Sequence, residues 1–325
     1  MSNTLTGLIP DLYAALDVVS RELVGFIPAV TTDAQVNRAA VGQNVTVAVA
    51  PDSNSMVDTT PAMSVPSASD QTIGSVSVQI TRSKAVPFSW EGNEQVGLNS
   101  GAGYLTIRAN QIAQAMRTLA NAVEADLAAL YATTSRAAGT VGTVPFITNT
   151  AALSAARKIL VDNGAPTSDL QLVIDTNAGA NLHTLYNINS SRDAAAQSLA
   201  QQGVLAMPSG VSIRESAQIY NPTSGTASGA TTNNAGYAVG ATTITLASAG
   251  TGTILAGDVI TFAGDTNQYN VVSGDADVSN GGTITLAAPG LRKAMSAATK
   301  AITVLATSPR NMAFSRSAIV LATRM

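Results

Sequence analysis

The sequence has no cysteine, a single histidine and few charges, and each shortage removes a class of chemistry. Without cysteine there are no disulfides, thiolate nucleophiles, iron–sulfur clusters or sulfur-ligated zinc. His183 alone cannot furnish a multi-histidine metal site, and no Gly-x-Ser-x-Gly elbow exists to give it a nucleophile. It reads as a structural histidine on a helix. No Gly-Lys pair occurs, so a phosphate-cradling Gly-Lys-Ser/Thr loop is excluded. Gly101-Ala-Gly103 and Gly250-Thr-Gly252 lack the third glycine of a dinucleotide fingerprint and read as turns. No window reaches the roughly 18–20 uninterrupted apolar residues of a membrane span. The N-terminus also lacks the basic start and apolar core of a signal peptide, so no membrane partner and no export are expected.

Only 11% of residues are charged and 4% aromatic, against about 25% charged in an average globular chain. The balance of 17 Lys and Arg against 20 Asp and Glu leaves a net charge of −3, which offers no electrostatic footprint for tight nucleic-acid binding. What is present is hydrophobic: 46% of 325 residues, ample for a buried core. So few charges over so large a surface suit a protein that covers much of its exterior with copies of itself.

Along the chain, residues 1–41 read as an N-terminal arm. Leu8, Leu12, Leu16, Val19 and Leu23 recur at helical spacing there. Residues 42–92 read as a projecting β-loop. Val45, Val47 and Val49 alternate with polar or small residues, as do Val76, Val78 and Ile80, and Val86, Phe88 and Trp90 continue an extended arm. Between the arms, 51–72 is a long polar excursion with three prolines. In 93–139 a stripe of Leu105, Ile112, Met116, Leu119, Val123, Leu127 and Leu130 predicts a long spine helix from Tyr104 to about Arg136, with Arg108, Arg117 and Glu124 on other faces. Residues 140–220 follow α/β grammar: helix 150–162, a turn at Asn163-Gly164-Ala165-Pro166, strand 170–174, helices 177–187 and 192–202, and strand 211–219. Residues 221–306 turn Gly-, Thr-, Ala- and Ser-rich, with β runs at 242–247, 258–262, 269–272, 283–287 and 301–305, the spacing of a small barrel or sandwich. The last segment, 307–325, is apolar and extended, and is expected to return to the first domain.

Candidate chemistry is sparse. Asp275, Asp277 and Ser279 mimic a calcium loop, but the twelfth position, which needs a bidentate Glu, is Leu286. Asp258 and Asp265 form a carboxylate pair with nothing in the sequence to shift either pKa. Between Arg214 and Arg292 there is no Lys or Arg, while Glu215, Asp258, Asp265, Asp275 and Asp277 are present. This acidic stretch reads as a solvated face, or as a patch suited to a basic neighbour. No catalytic grouping, metal site or cofactor is expected, and the chain is read as not an enzyme.

The order of parts, together with GDVITFAGDTNQYNV (257–271), AAPGLRKAM (287–295) and NMAFSRSAIVLATRM (311–325), resembles the major capsid proteins of tailed bacteriophages, in the podovirus coat-protein branch that carries an inserted β-domain. Where that branch usually has His and Asp in the C-terminal signature, this chain has Ser315 and Ser317. The resemblance implies an α+β, HK97-like fold with an inserted all-β domain. It implies a subunit of hexamers and pentamers in an icosahedral head around double-stranded DNA, assembled in the host cytoplasm and resident in the virion. The implied partners are a scaffolding protein, a portal protein, in some members a decoration or cement protein, and packaged DNA held by weak nonspecific contact. In some shells of this fold a loop lysine crosslinks covalently. Lys84 is the only lysine in that region, and with no assignable catalytic carboxylate the joints are expected to be noncovalent. Arg82, Lys84, Trp90 and Glu91 are the expected intersubunit contacts, and Arg108 and Arg117 the expected interior, DNA-facing residues. The rival reading is another self-assembling structural protein, of a surface layer or tail.

Overall fold

The protein is represented by a computed structural model in which residues 24–32, 44–49, 74–79, 82–87, 89, 104–189 and 210–322 are described. The chain divides into two units, one of Met1–Val30 with Val86–Ile319 and one of Thr31–Ala85 with Val320–Met325. The architecture is α+β.

Among the described residues, the smaller unit contains two two-stranded pieces. Strand β1 (Thr31–Thr32) runs parallel to β13 (Val320–Leu321). Strands β2 (Asn44–Val49) and β3 (Gly74–Gln79) form an antiparallel ribbon in which Val45 faces Val78 and Val47 faces Val76. Directly opposed residues share a face, so positions 45, 47, 49, 76 and 78 lie on one side of the ribbon. The other side carries Asn44, Ser75, Ser77 and Gln79, all exposed. The segment 82–87 forms no strand, unlike the extended arm expected there from Val86, Phe88 and Trp90; Phe88 and Trp90 lie outside the described residues.

In the larger unit, helix α1 (Tyr104–Ala128) runs 25 residues without Gly or Pro. That is about 37 Å at 1.5 Å per residue. It tightens into a 3-10 turn over Ala129–Thr133, short of the helix end expected near Arg136. There Thr133 and Thr134 turn their hydroxyls back onto the carbonyls of Leu130 and Tyr131, satisfying acceptors that a continuing helix would have used.

Helix α2 (Ala151–Asp162) stops where the Asn-Gly-Ala-Pro turn predicts. Gly164 takes φ +82°, and the amides of Gly164 and Ala165 return to Val161 and Leu160, closing the helix with a left-handed cap. Strand β5 (Leu170–Ile174), buried at every residue, is central between β6 (Val211–Glu215), parallel to it, and β12 (Met312–Ser315), antiparallel to it. Helix α3 (Thr176–Asn189) follows β5. Phe146, Leu153, Leu170, Leu172, Ile174, Ala178, Leu182, Val211 and Ile213 form this core. Strand β6 ends at Glu215 rather than 219; Ser216 still donates its amide to the Ile174 carbonyl of β5, and its hydroxyl turns to Glu124. The expected helix 192–202 and the N-terminal helix before residue 24 lie outside the described residues.

The β-rich region carries β7 (Thr243–Leu246), β8 (Val259–Phe262), β9 (Gln268–Ser273), β10 (Gly282–Leu286) and β11 (Ile302–Val304), in sheet order β11-β8-β9-β10-β7. The sheet closes on itself through residues 230–233, which bond Lys300 and Ile302 on one side and Thr245 and Ala247 on the other. Closure leaves no free edge to template aggregation. Inside, Ile244, Ile254, Ile260, Phe262, Tyr269, Val271, Ile284, Leu286 and Leu291 form a separate core. Strand β4 (Arg136–Ala137), just after α1, pairs with Tyr269 and Gln268 of β9, so the spine segment contributes a strand to the barrel's sheet.

Candidate assembly surfaces

Two internal joints hold the larger unit together, and neither is legible as a motif. At the first, Glu124 sits within the buried stripe of α1, only 1% exposed, where the sequence reading placed it on a polar face. Its carboxylate accepts the amides of Gly25 (3.3 Å), Phe26 (3.1 Å) and Ile27 (2.7 Å) and the hydroxyl of Ser216 (2.9 Å). These donors come from a segment about a hundred residues upstream and from the end of β6. A buried carboxylate is tolerable when its lone pairs are filled in this way. Phe26 then stacks on Phe314, with centroids 6.3 Å apart, and the Arg316 guanidinium donates to the Pro28 carbonyl at 2.7 Å.

The second joint fixes the barrel to the spine. Tyr131 stacks on Tyr220 at 5.5 Å and packs against Gly257, while the Arg310 guanidinium lies 6.0 Å from the Tyr131 ring centre. Burial, and after it the neighbouring Tyr220, push the Tyr131 hydroxyl above its ordinary range. The Asn270 side chain donates to the carbonyl and hydroxyl of Thr134, and Gln268 donates to the Gly139 carbonyl at 2.8 Å. Arg136 donates to Asn267 at 3.0 Å, and Arg292 reaches the Asp162 carbonyl at 3.3 Å.

The acidic stretch is largely spent on the protein's own donors, which corrects its reading as a solvated face. Asp258, 2% exposed, accepts the amides of Gly225 and Leu255. Asp265 accepts from Asn267 and the Tyr269 hydroxyl. The two carboxylates of the supposed pair therefore serve different partners. Glu215 meets His183 at 3.3 Å. Asp277 accepts the Ser279 amide and hydroxyl and the Asn280 side chain, and the Ser279 bonds hold its carboxyl below the usual range. That loop is tied by its own residues, and among the described residues no cluster of His, Cys, Asp or Glu is arranged to hold a metal. Asp277 remains the exposed acid of the stretch.

Of the expected interface residues, Arg82 and Lys84 are exposed, while Trp90 and Glu91 lie outside the described residues. Arg117 is half-buried on α1 with its guanidinium 3.5 Å from Gln114 one turn back. Arg108 is in the same helix, its side chain outside the described residues. In the C-terminal signature, Ser315 and Ser317 hydrogen-bond each other at 3.2 Å. Among the described residues no helix is long and apolar enough to cross a membrane.

No family model matches the chain, and no curated protein matches it. Among solved structures it is similar to a chain titled Mycobacterium phage Che8, at 13% identity and a TM-score of 0.42, over 90% of this chain and 91% of that one. It is also similar to a chain from the capsid structure of the cyanophage P-SCSP1u, at 16% identity and a TM-score of 0.40, over 88% of this chain and 86% of that one.

Proposed function

We propose that this chain is the shell-forming subunit of a tailed-phage head: an HK97-like capsid protein of the podovirus branch whose copies close as hexamers and pentamers around double-stranded DNA. The observation that carries the reading is the β2–β3 ribbon. A two-stranded hairpin is marginal in water by itself, and this one aligns valine positions 45, 47, 49, 76 and 78 on a single face, its two strands making up the whole of its sheet among the described residues. Fully burying one valine is worth about 1.5–3 kcal/mol, so covering that face with a neighbouring copy supplies a large driving force for assembly.

The remaining parts take their places on this reading. Residues 1–41 are the arm, 42–92 the extended loop that overlaps the next subunit, 93–139 the spine, 140–220 the apical domain, 221–306 the inserted barrel and 307–325 the returning strand. Arg82, Lys84, Trp90 and Glu91 make noncovalent intersubunit contacts, and Arg108 and Arg117 face the packaged DNA weakly. Scaffolding and portal proteins direct closure, with a decoration protein as a further partner. The role is structural rather than enzymatic, resident in the virion after assembly in the host cytoplasm.

Negative-stain microscopy of the purified chain, over a range of protein concentration and ionic strength, tests the proposal. Closed spherical particles or capsomer rings support it, as does their loss in Val47→Asp/Val76→Asp with the circular dichroism spectrum intact. Sheets or tubes favour a surface-layer or tail protein, and monomers under every condition reject assembly as the function.

A further inference from the structure

We propose that the cleft between α2 and the β8–β9 turn, where the barrel meets the spine, binds a small oxyanion of the phosphate class. The cleft, of about 220 Å³, is lined by Arg136, Gly139, Lys158, Thr266, Asn267 and Gln268 among others. A water takes about 30 Å³ of liquid volume, so a tetrahedral oxyanion with part of its hydration fits.

Its charge balance is incomplete. The Arg136 side chain is only 6% exposed, and its Nε and Nη2 find no hydrogen-bond acceptor among the described residues. Its one bonded acceptor is the neutral amide oxygen of Asn267. The nearest carboxylate oxygen, Asp162 Oδ2, stands 3.7 Å away and already accepts Lys158 at 2.7 Å. Two cations thus share one oxygen, and a third, Arg292, reaches the Asp162 carbonyl. The other acid nearby, Asp265, is engaged by Asn267 and Tyr269. Three cations therefore stand against two carboxylates. The Asp162 carboxyl is held below its usual range, first by the Lys158 hydrogen bond and then by the surrounding charges, as a cationic surplus requires.

A buried guanidinium short of acceptors is costly, and an oxyanion supplies both acceptors and countercharge. Lys158, with 72% of its side chain exposed, is the member able to turn from Asp162 onto the entering ion and bond it. The open ground over Gly139, where an added Cβ would meet nothing within 4 Å, gives the approach. Once seated, the ion bridges α2 and β4, clamping the barrel to the spine.

The test is thermal unfolding of the full chain in inorganic phosphate against chloride at matched pH and ionic strength. A saturable rise in Tm is expected. Lys158→Gln should raise the half-saturating concentration about tenfold, the loss of roughly one charge-assisted bond. Lys300→Gln, elsewhere on the barrel, should leave it unchanged. Arg136→Gln should abolish the response, and if that variant fails to fold, the exposed Lys158 carries the test alone. Three results overturn the site: no response beyond that to chloride, equal responses in the Lys158 and Lys300 variants, or a response to a duplex oligonucleotide without one to inorganic phosphate.

Discussion

Replacing Glu124 by Gln changes one atom in the most connected buried side chain of the spine. The carboxylate Oε1 accepts Ile27, and Oε2 accepts Gly25, Phe26 and Ser216. An amide can present its oxygen to only one of these groups. With the oxygen at Oε2, the NH2 meets the Ile27 amide donor to donor; with the oxygen at Oε1, it meets three donors. The first arrangement wins and leaves the part-buried Ile27 N–H without an acceptor, which costs about 1–3 kcal/mol, toward the lower end for a group not fully desolvated. The three surviving bonds lose their charge assistance, a few tenths to 1 kcal/mol each by the difference between charged and neutral bonds. Removing a buried charge returns part of that, so the net destabilisation should be about 2–4 kcal/mol. In urea the midpoint of unfolding should fall without a change in slope, and hydrogen exchange at residues 25–27 should accelerate ahead of that in β5. A Gln variant as stable as the parent, with those amides still protected, would refute the assignment of Glu124 as the joint between chain start, spine and β6.

Gly257 has φ +88°, and a Cβ there would run into the Tyr131 ring. Gly257→Ala should therefore lose more than the roughly 1–2 kcal/mol of a left-handed alanine, read as a drop in Tm; an unchanged Tm would mean that Tyr131 moves aside freely. The Tyr269 hydroxyl, buried and donating to Asp265, is pushed up to about 12. A phenol whose pKa is higher folded than unfolded contributes stability that is complete below pH 10 and is lost as pH rises from 10 toward 12. Ultraviolet titration should show one tyrosine ionising last, absent in Tyr269→Phe, and simultaneous ionisation of all seven tyrosines would contradict it. Asp258→Asn should destabilise the barrel by about 1–2 kcal/mol, since an amide oxygen at Oδ2 keeps the Leu255 and Gly225 bonds without their charge assistance while its NH2 meets the Gly225 amide donor to donor; urea unfolding that matches the parent would count against that role.

Local pattern was informative wherever a segment's own periodicity decided its state. The run LQLVI became β5 over the expected residues. The Asn-Gly-Ala-Pro turn ended α2, because glycine alone takes that backbone without strain. The five short β runs after residue 240 each became a strand, shifted by one residue at most at either end. Alternation and turn chemistry act over a few residues, so one sequence displays them. The low charge and lack of cysteine likewise narrowed the chemistry before any fold was known.

Tertiary structure decided what each polar group is for. Glu124 reads as a surface residue by spacing, and only the arrival of three amides from residues 25–27 makes it a buried acceptor. Asp258 and Asp265 read as a pair, yet each is claimed by donors that the barrel brings to it. Closure of the sheet through residues 230–233, and the strand that the spine lends at Arg136–Ala137, join segments more than sixty and more than a hundred residues apart. A hydrogen-bond donor has no sequence spacing to its acceptor once the chain has turned back on itself. Burial fixes which polar atoms must be paired, and the fold alone determines which partners are within 3 Å.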